Sequence, residues 1–381
     1  TSLFTDEERK IFCEISPSPD RLQRVVNILS HPNLLSQFDK RPTEFARNFG
    51  ACFEGTLAYK ANPKDFSFEA DRSRLKSKGT FYTDPELTDC LVKLTFEDMA
   101  TNETFPLDQK VLDPAMGAGN FLLEVLEYFV QHQIDNPQTE NQKGNLFDLK
   151  QKTLSKCIFG ADKDQLTFKI GKMCLALACL NPMSNTEQTN QIIRILDKNL
   201  FCVDSLLMDW TKIFDRVTII GNPPFVSTHS RQSQKNNMDN HIQLYLSKFQ
   251  LNSNRHNLFS FFVANNVGLQ EKNILTRWSF VLPRPILVSE HLSGLRKMIL
   301  KKSLSAYLPD KPVSLKLKIV ELDYLPFNAG VEICLICAVY DKAKKYPENT
   351  ESPSCQDSIS YFSKKQNAKP QLHFTHILTQ G

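Results

Sequence analysis

No apolar run in these 381 residues approaches the ~18 that a membrane-spanning helix needs. The first ten residues, TSLFTDEERK, are charged and have no apolar signal core, so no membrane association and a cytoplasmic location are expected. An excess of one charge is also lacking. The 46 Lys and Arg against 42 Asp and Glu leave +4, which permits a nucleic-acid partner without arguing strongly for one. Ten cysteines are present but scattered, and no C-x-x-C pairs with a second such motif, so no zinc site or other metal site is expected. Several cysteines lie in apolar runs such as CLALACL (Cys174 to Leu180) and EICLICAVY (Glu332 to Tyr340). They read as small buried hydrophobes in a reducing compartment, not as a disulfide framework. No internal repeat is found. What remains, 41% hydrophobic and 23% charged residues, is the composition of an ordinary globular chain long enough for one large α/β domain and something smaller.

Residues 1–75 read as an N-terminal helical segment. Leu22, Val25, Val26 and Leu29 recur at helical spacing after Ser18-Pro19-Asp20, and a second helix is predicted over Thr43 to Tyr59. A basic stretch, DRSRLKSKG (Asp71 to Gly79), marks a boundary. Residues 76–341 then alternate strand and helix. Strands are predicted at Lys110–Leu112, Cys157–Asp162, Leu200–Asp204, Val217–Gly221, Trp278–Pro283, Lys318–Tyr324 and Glu332–Tyr340. Helices are predicted at Phe121–Gln131 and from Asp162 to about Leu180. This pattern indicates a mostly parallel seven-stranded sheet with helices on both faces. Residues 342–381 open with polar DKAKKYPENTESPSCQDS and read as a linker or tail.

VLDPAMGAGNFL (Val111 to Leu122) ends a strand on Asp113, turns through Gly117 and Gly119, and starts a helix. Glycines let backbone approach a ligand, and a helix start offers unpaired N–H groups. The spacing is not G-x-G-x-x-G, because Leu122 stands in the third glycine's place, and no Gly-Lys-Ser/Thr follows, so a P-loop is excluded. Asp162 ends the next strand, where a doubly wound fold binds ribose hydroxyls. Asp204 ends the third, within reach of an adenine amino group. Any one of these acids is accounted for by a turn or helix cap. All three in order after a glycine turn point to a nucleoside cofactor without phosphates, and S-adenosyl-L-methionine fits.

VTIIGNPPF (Val217 to Phe225) ends another strand in a stiff turn. Two prolines fix the backbone and remove two donors, so the turn is rich in acceptors. An exocyclic amino group on a flat base is a poor nucleophile, because its lone pair is delocalised into the ring. The Asn222 side-chain oxygen and the Pro223 carbonyl can each accept one of its hydrogens, localising the lone pair. Pro224 helps hold the turn, and Phe225 can stack on the ring. The acceptors are set before reaction, which is electrostatic preorganisation. The plain alternative is a rigid loop after a buried strand.

At this point the chain resembles the amino-group-methylating DNA methyltransferases. More closely, it resembles the N6-adenine class in which the cofactor motifs precede Asn-Pro-Pro-Phe, as in the methyltransferase part of fused type II restriction-modification enzymes. The resemblance covers most of residues 45–341. FGACFEGTLAY (Phe49 to Tyr59) and GTFYTDPELTDCLV (Gly79 to Val92) resemble the lead-in to that domain, which implies that Phe81, Tyr82 and Thr83 pack over the methionine end of the cofactor. DPAMGAGNFL resembles the first cofactor motif, with Met116 and Ala118 where Cys and Ser are usual. It implies cofactor contacts from Asp113, Ala115, Gly117, Gly119, Asn120 and Phe121. Asp162 matches the ribose-binding acid, with Lys163 beside the adenine. Asp204 and Ser205 match the adenine-contacting stretch. FVLPRPIL (Phe280 to Leu287) and ELDYLPFNAGVEI (Glu321 to Ile333) resemble later motifs and imply that Phe327 stacks on the face of a flipped base opposite Phe225.

Only about 40 residues follow Tyr340, too few for a target-recognition domain. A separate specificity subunit, or recognition residues outside this chain, is expected. No nuclease motif is seen in residues 1–75. Arg231, Lys235, Arg255, Arg284, Arg296, Lys297, Lys301 and Lys302 are candidate phosphate contacts, although Lys297 to Lys302 reads equally as a solvated helix face. The loop from Ser227 to Asn240 is expected to order over the target strand. The resemblance implies DNA adenine-N6 methylation in a restriction-modification or defence system. Two other readings use the same motifs: an RNA or protein-glutamine amino methyltransferase, and a catalytically silent DNA-binding module. The turn chemistry would also serve cytosine N4.

Overall fold

The alternation of strand and helix folds, in a computed structural model, around one large mixed sheet. The structure describes residues 41–56, 59–61, 68–70, 83–100, 109–136, 145–181, 184–226, 244–245, 247–248, 257–305, 313–325, 331–342, 357–365 and 370–378. The helix expected around Leu22 to Leu29 lies outside these residues.

Helix α1 (Pro42–Thr56) is followed by a short antiparallel hairpin, β1 (Tyr59–Ala61) with β2 (Phe68–Ala70). The predicted helix thus stops three residues early, where Tyr59 pairs with Ala70 instead. Next come α2 (Pro85–Ala100), β3 (Val111–Asp113), α3 (Asn120–Asp135), α4 (Leu146–Cys157), β4 (Ile158–Asp162), α5 (Gln165–Cys179), α6 (Thr186–Asn199), β5 (Leu200–Cys202) and β6 (Val217–Gly221). The chain continues through α7 (Leu258–Glu271), β7 (Leu275–Pro283), α8 (Ser293–Ser305), β8 (Val313–Leu322), β9 (Ile333–Lys342), β10 (Asp357–Lys364) and β11 (Gln371–Leu378).

The sheet order is β11-β10-β8-β9-β7-β6-β3-β4-β5. The run from β7 to β5 is parallel throughout, and β9 is antiparallel to both β7 and β8. Those are the seven strands expected from the sequence. Two more extend the sheet: β10 pairs parallel with β8, and β11 pairs antiparallel with β10. The segment 342–381, expected as a polar linker or tail, is therefore partly built into the fold. Its serines and charges obscure a period of two, in which Ile359 and Tyr361 alternate with serines. Lys364 at the end of β10 is buried against Glu86 of α2, which ties the extension to the body of the domain.

Helices cover both sheet faces, and the strands show it residue by residue. Along β9, Ile333, Leu335, Cys337 and Val339 join one core, while Cys334, Ile336 and Ala338 join the other. The C-x-x-C of this strand consequently splits across the sheet, because side chains three apart on a strand face opposite ways. Its two thiols are buried, and burial pushes the Cys337 thiol above its ordinary range.

The expected N-terminal segment does not stand apart where it is described. Helix α1 packs along α5 and touches α3, with Ala46 fully buried in the same core as Leu122 and Leu175. Gly50 makes this close, since a Cβ there would lie 2.9 Å from that of Ala118 in the glycine turn. Strand β3 sits between β4 and β6, so the strand order reverses at its carboxyl end. A doubly wound sheet opens its ligand crevice at that point.

Candidate active site

The turn after β3 is shaped by two left-handed glycines, Gly117 at φ +56° and Gly119 at φ +86°. Few other residues adopt that conformation without strain. The Met116 N–H donates to the Ala161 carbonyl at 2.9 Å and the Gly119 N–H to the Met116 carbonyl at 2.7 Å, closing the turn before α3 begins. Asp113 is almost fully buried and accepts the Ala115 N–H at 3.0 Å. Burial, chiefly, pushes its carboxyl up to about 8, against the lowering effect of that hydrogen bond. Asp162, at the tip of β4, accepts the Gly117 N–H at 3.1 Å and the Asp164 N–H at 2.9 Å, and burial raises its carboxyl as well.

Strand β5 ends two residues before the predicted limit. The Asp204 carboxylate accepts the Leu206 N–H at 3.1 Å, an Asx turn that terminates the strand. Its other oxygen accepts the Tyr245 hydroxyl. Ser205 is buried, and its carbonyl receives the Trp210 indole N–H at 3.1 Å.

Strand β6 ends in glycine for a reason visible in its neighbour. A Cβ on Gly221 would lie 2.6 Å from Asp113 Oδ1, so only glycine lets the two strand ends meet. Asn222 follows directly. Its Nδ2 donates to Thr83 Oγ1 at 3.2 Å, and its Oδ1 is buried with no hydrogen-bond partner among the described residues. Thr83 precedes α2, whose start is held by the Asp84 side chain accepting the Glu86 N–H at 2.7 Å. At the far end of the turn, the Val226 carbonyl accepts the Leu258 N–H of α7 at 2.9 Å. Phe225 is half-buried and meets Phe259 edge-on, with ring centroids 6.3 Å apart. The Asn-Pro-Pro-Phe turn is thus anchored at both ends.

These strand ends enclose one cavity of about 360 Å³. Of the residues expected at the site, Thr83, Asp113, Ala115, Gly117, Asn120, Phe121, Asp162, Lys163, Asp204, Ser205, Asn222 and Pro224 line it. Gly119, Pro223 and Phe225 shape or flank its walls without lining it. Phe81, Tyr82 and Phe327 lie outside the described residues, as do Arg231, Lys235, Arg255 and the Ser227–Asn240 loop, and nothing is described of the Lys301 and Lys302 side chains. Two candidate phosphate contacts are used internally instead. Arg284 is paired with Glu321 at 2.9 Å and Glu332 at 3.0 Å, and Arg296 donates to the Ile286 and Ser289 carbonyls at 2.9 and 2.7 Å. Their partners lie on other turns and strands, so no local pattern announces them.

Sequence reasoning missed Tyr245 and Glu54, both of which line the cavity. Glu54 comes from α1, and its Oε1 accepts the Ala118 N–H at 3.1 Å. Burial pushes its carboxyl up to about 7, and nearby Asp162 adds to the rise. An acid in the last turn of an otherwise ordinary amphipathic helix carries no signal of such a contact.

At the tip of β6, then, stands an amide oxygen with no hydrogen-bond partner among the described residues, next to a glycine turn at the tip of β3. The N-6 DNA methylase family model matches residues 49–304, which includes every one of these strand ends. The chain belongs to the N-6 DNA methylase family. A curated relative, the type II restriction enzyme and methyltransferase RM.Eco57I of Escherichia coli, is 28% identical over 174 residues. That match takes in 38% of this chain and 17% of the relative, so the chain spans a small part of that protein's length. Among solved structures, the type IIL restriction-modification enzyme MmeI in complex with DNA aligns with a TM-score of 0.51 at 18% identity, over 85% of this chain and 42% of that one. The DrdV–DNA complex aligns at 0.52 and 14% identity, over 84% and 30%. At such identities these structures speak for the shared fold of this N-6 DNA methylase.

Proposed function

We propose that this chain transfers a methyl group from S-adenosyl-L-methionine to the N6 amino group of an adenine flipped out of DNA, as the modification part of a restriction-modification or defence system. The observation that carries the reading is Asn222. Its amide nitrogen is engaged by Thr83, and its oxygen, on the cavity wall, has no hydrogen-bond partner among the described residues.

The cavity suits a cationic nucleoside. Glu54, Asp113, Asp162, Asp164 and Asp204 all line it beside a single lysine, Lys163, a set rich in acceptors and poor in the cations a phosphate needs. Three buried acceptor atoms in the lining residues have no donor among the described residues: Glu54 Oε2, Asn120 Oδ1 and Asn222 Oδ1. Asp162 would hold ribose hydroxyls, Asp204 and Ser205 the adenine, and the glycine turn the amino-acid end. Bound there, S-adenosylmethionine supplies an electrophilic methyl on a sulfonium.

The chain's own part is to make the amino group attack. Asn222 Oδ1 and the Pro223 carbonyl accept its two hydrogens and localise the lone pair, and Phe225 stacks the base. The acceptors need no reorganisation, because Thr83 and the prolines have already set them. An adenine paired in a duplex cannot present this nitrogen, so the base must leave the stack. DNA is the proposed substrate, with sequence recognition supplied by a specificity subunit or by a recognition domain outside this chain. The family assignment and the DNA-bound restriction-modification enzymes among its structural neighbours support that partner.

The test is transfer of labelled methyl from S-adenosylmethionine to unmethylated bacterial DNA, followed by nucleoside separation. N6-methyladenine from the wild type and none from Asn222→Ala supports the proposal. N4-methylcytosine would change the base assignment, and cofactor binding without transfer to any DNA would overturn the DNA reading for this chain alone.

A further inference from the structure

Glu54 is the one cavity-lining carboxylate supplied by α1. It is 8% exposed, and its two oxygens have different fates. Oε1 accepts the Ala118 N–H, and a Cβ on Gly117 would lie 3.1 Å from it, so the turn is bare where the carboxylate approaches. Oε2 is buried with no hydrogen-bond partner among the described residues. Asn120, the first residue of α3 and also 8% exposed, has its Oδ1 in the same condition. Both residues line the cavity, and the Ala118 N–H that Glu54 accepts lies two residues before Asn120. The nearest described cation on Glu54's own helix is committed elsewhere, since Arg47 is paired with Glu124 of α3. A buried carboxylate oxygen and a buried amide oxygen without donors are costly unless a ligand brings the donors. Asp162 adds negative charge near Glu54, which favours a cationic donor over a neutral hydroxyl.

We infer that Glu54 and Asn120 form an ammonium pocket that recognises the α-amino group at the amino-acid end of the cofactor. The inference rests on the proposed cofactor, and it makes α1 a ligand-binding element rather than a brace. An ammonium has three N–H donors and no acceptor, which suits Glu54 Oε2 and Asn120 Oδ1. Charge-assisted hydrogen bonds of this kind are the stronger class and discriminate against a ligand that lacks the donor.

The test is an equilibrium titration of the full chain, without DNA, with S-adenosylhomocysteine and with the analogue that lacks only the α-amino group. Each ligand is measured on the wild type and on Glu54→Gln. Glutamine keeps the acceptor for Ala118 and removes the charge, and a thermal melt checks that the variant folds. The wild type is expected to prefer the amino-bearing ligand by about 10- to 100-fold, and Glu54→Gln to lose most of that preference while binding the deaminated ligand as before. Equal weakening of both ligands would make Glu54 a support for the glycine turn alone, and an unchanged preference would remove it from recognition; either overturns the inference. A wild type that binds neither ligand, nor S-adenosylmethionine, overturns the cofactor reading beneath it, an outcome distinct from both.

Discussion

The hydrogen bond from Asn222 to Thr83 joins positions 139 residues apart, and the predicted chemistry turns on it. Asn222→Ala is expected to lower the methylation rate by at least ~10²-fold, the scale of a lost preorganised transition-state contact, while S-adenosylmethionine still binds within about threefold. Single-turnover methylation beside a binding titration measures both. Thr83→Val keeps shape and removes the acceptor, so the amide is free to turn. Its expected signature is a fall in kcat of about tenfold with a smaller change in the KM for DNA, read from steady-state kinetics. The place of Asn222 at a strand end was legible because four unusual residues directly follow an apolar strand. Its partnership with Thr83 was not, since nothing local to either residue encodes a contact that exists only after α2 and β6 have packed. Glu54 was hidden for the same reason.

Elements were legible in proportion to how apolar they are. Strands β4, β6 and β9 emerged from the sequence within a residue or two, because burial on both faces demands continuous apolar runs. Strand β8 (Val313–Leu322) was expected five residues late at its start and two late at its end, since Lys316 and Lys318 alternate with its inward leucines, and Lys318 is spent on Glu97 and Asp98 of α2. Strands β10 and β11 were missed outright behind a polar stretch. Helix α5 offers a test of how tightly the elements meet at the site. A Cβ on Gly171 would lie 2.6 Å from the Gly117 carbonyl. Alanine improves helix propensity by about 1 kcal/mol, yet here it would push backbone against backbone. Gly171→Ala is therefore expected to lower the melting temperature and weaken cofactor binding together. A more stable variant with normal affinity would show that the turn yields freely.

The whole molecule carries a stability cost at its site. Asp113 and Glu54 hold their protons up to about 8 and about 7, whereas the unfolded chain releases them near ordinary carboxyl values. Between roughly pH 4 and 8 the folded state binds more protons, so its stability falls as pH rises through that window. Calorimetry of the ligand-free chain is expected to give a higher melting temperature at pH 6 than at pH 8.5. Glu54→Gln, which cannot ionise, should narrow the gap. A melting temperature that rises with pH between those points, in the wild type, would contradict the burial of these acids.

Helix α1 lies before the basic stretch that looks like a boundary in the sequence, yet it forms one wall of the cavity. Anyone exchanging catalytic modules between such enzymes would be drawn to cut at that stretch. A transplant made there would carry the asparagine and the glycine turn and leave Glu54 behind in the donor. A cut upstream of Pro42 keeps Glu54 with the turn, and chimeras joined there or at the basic stretch should differ in cofactor affinity before they differ in anything else.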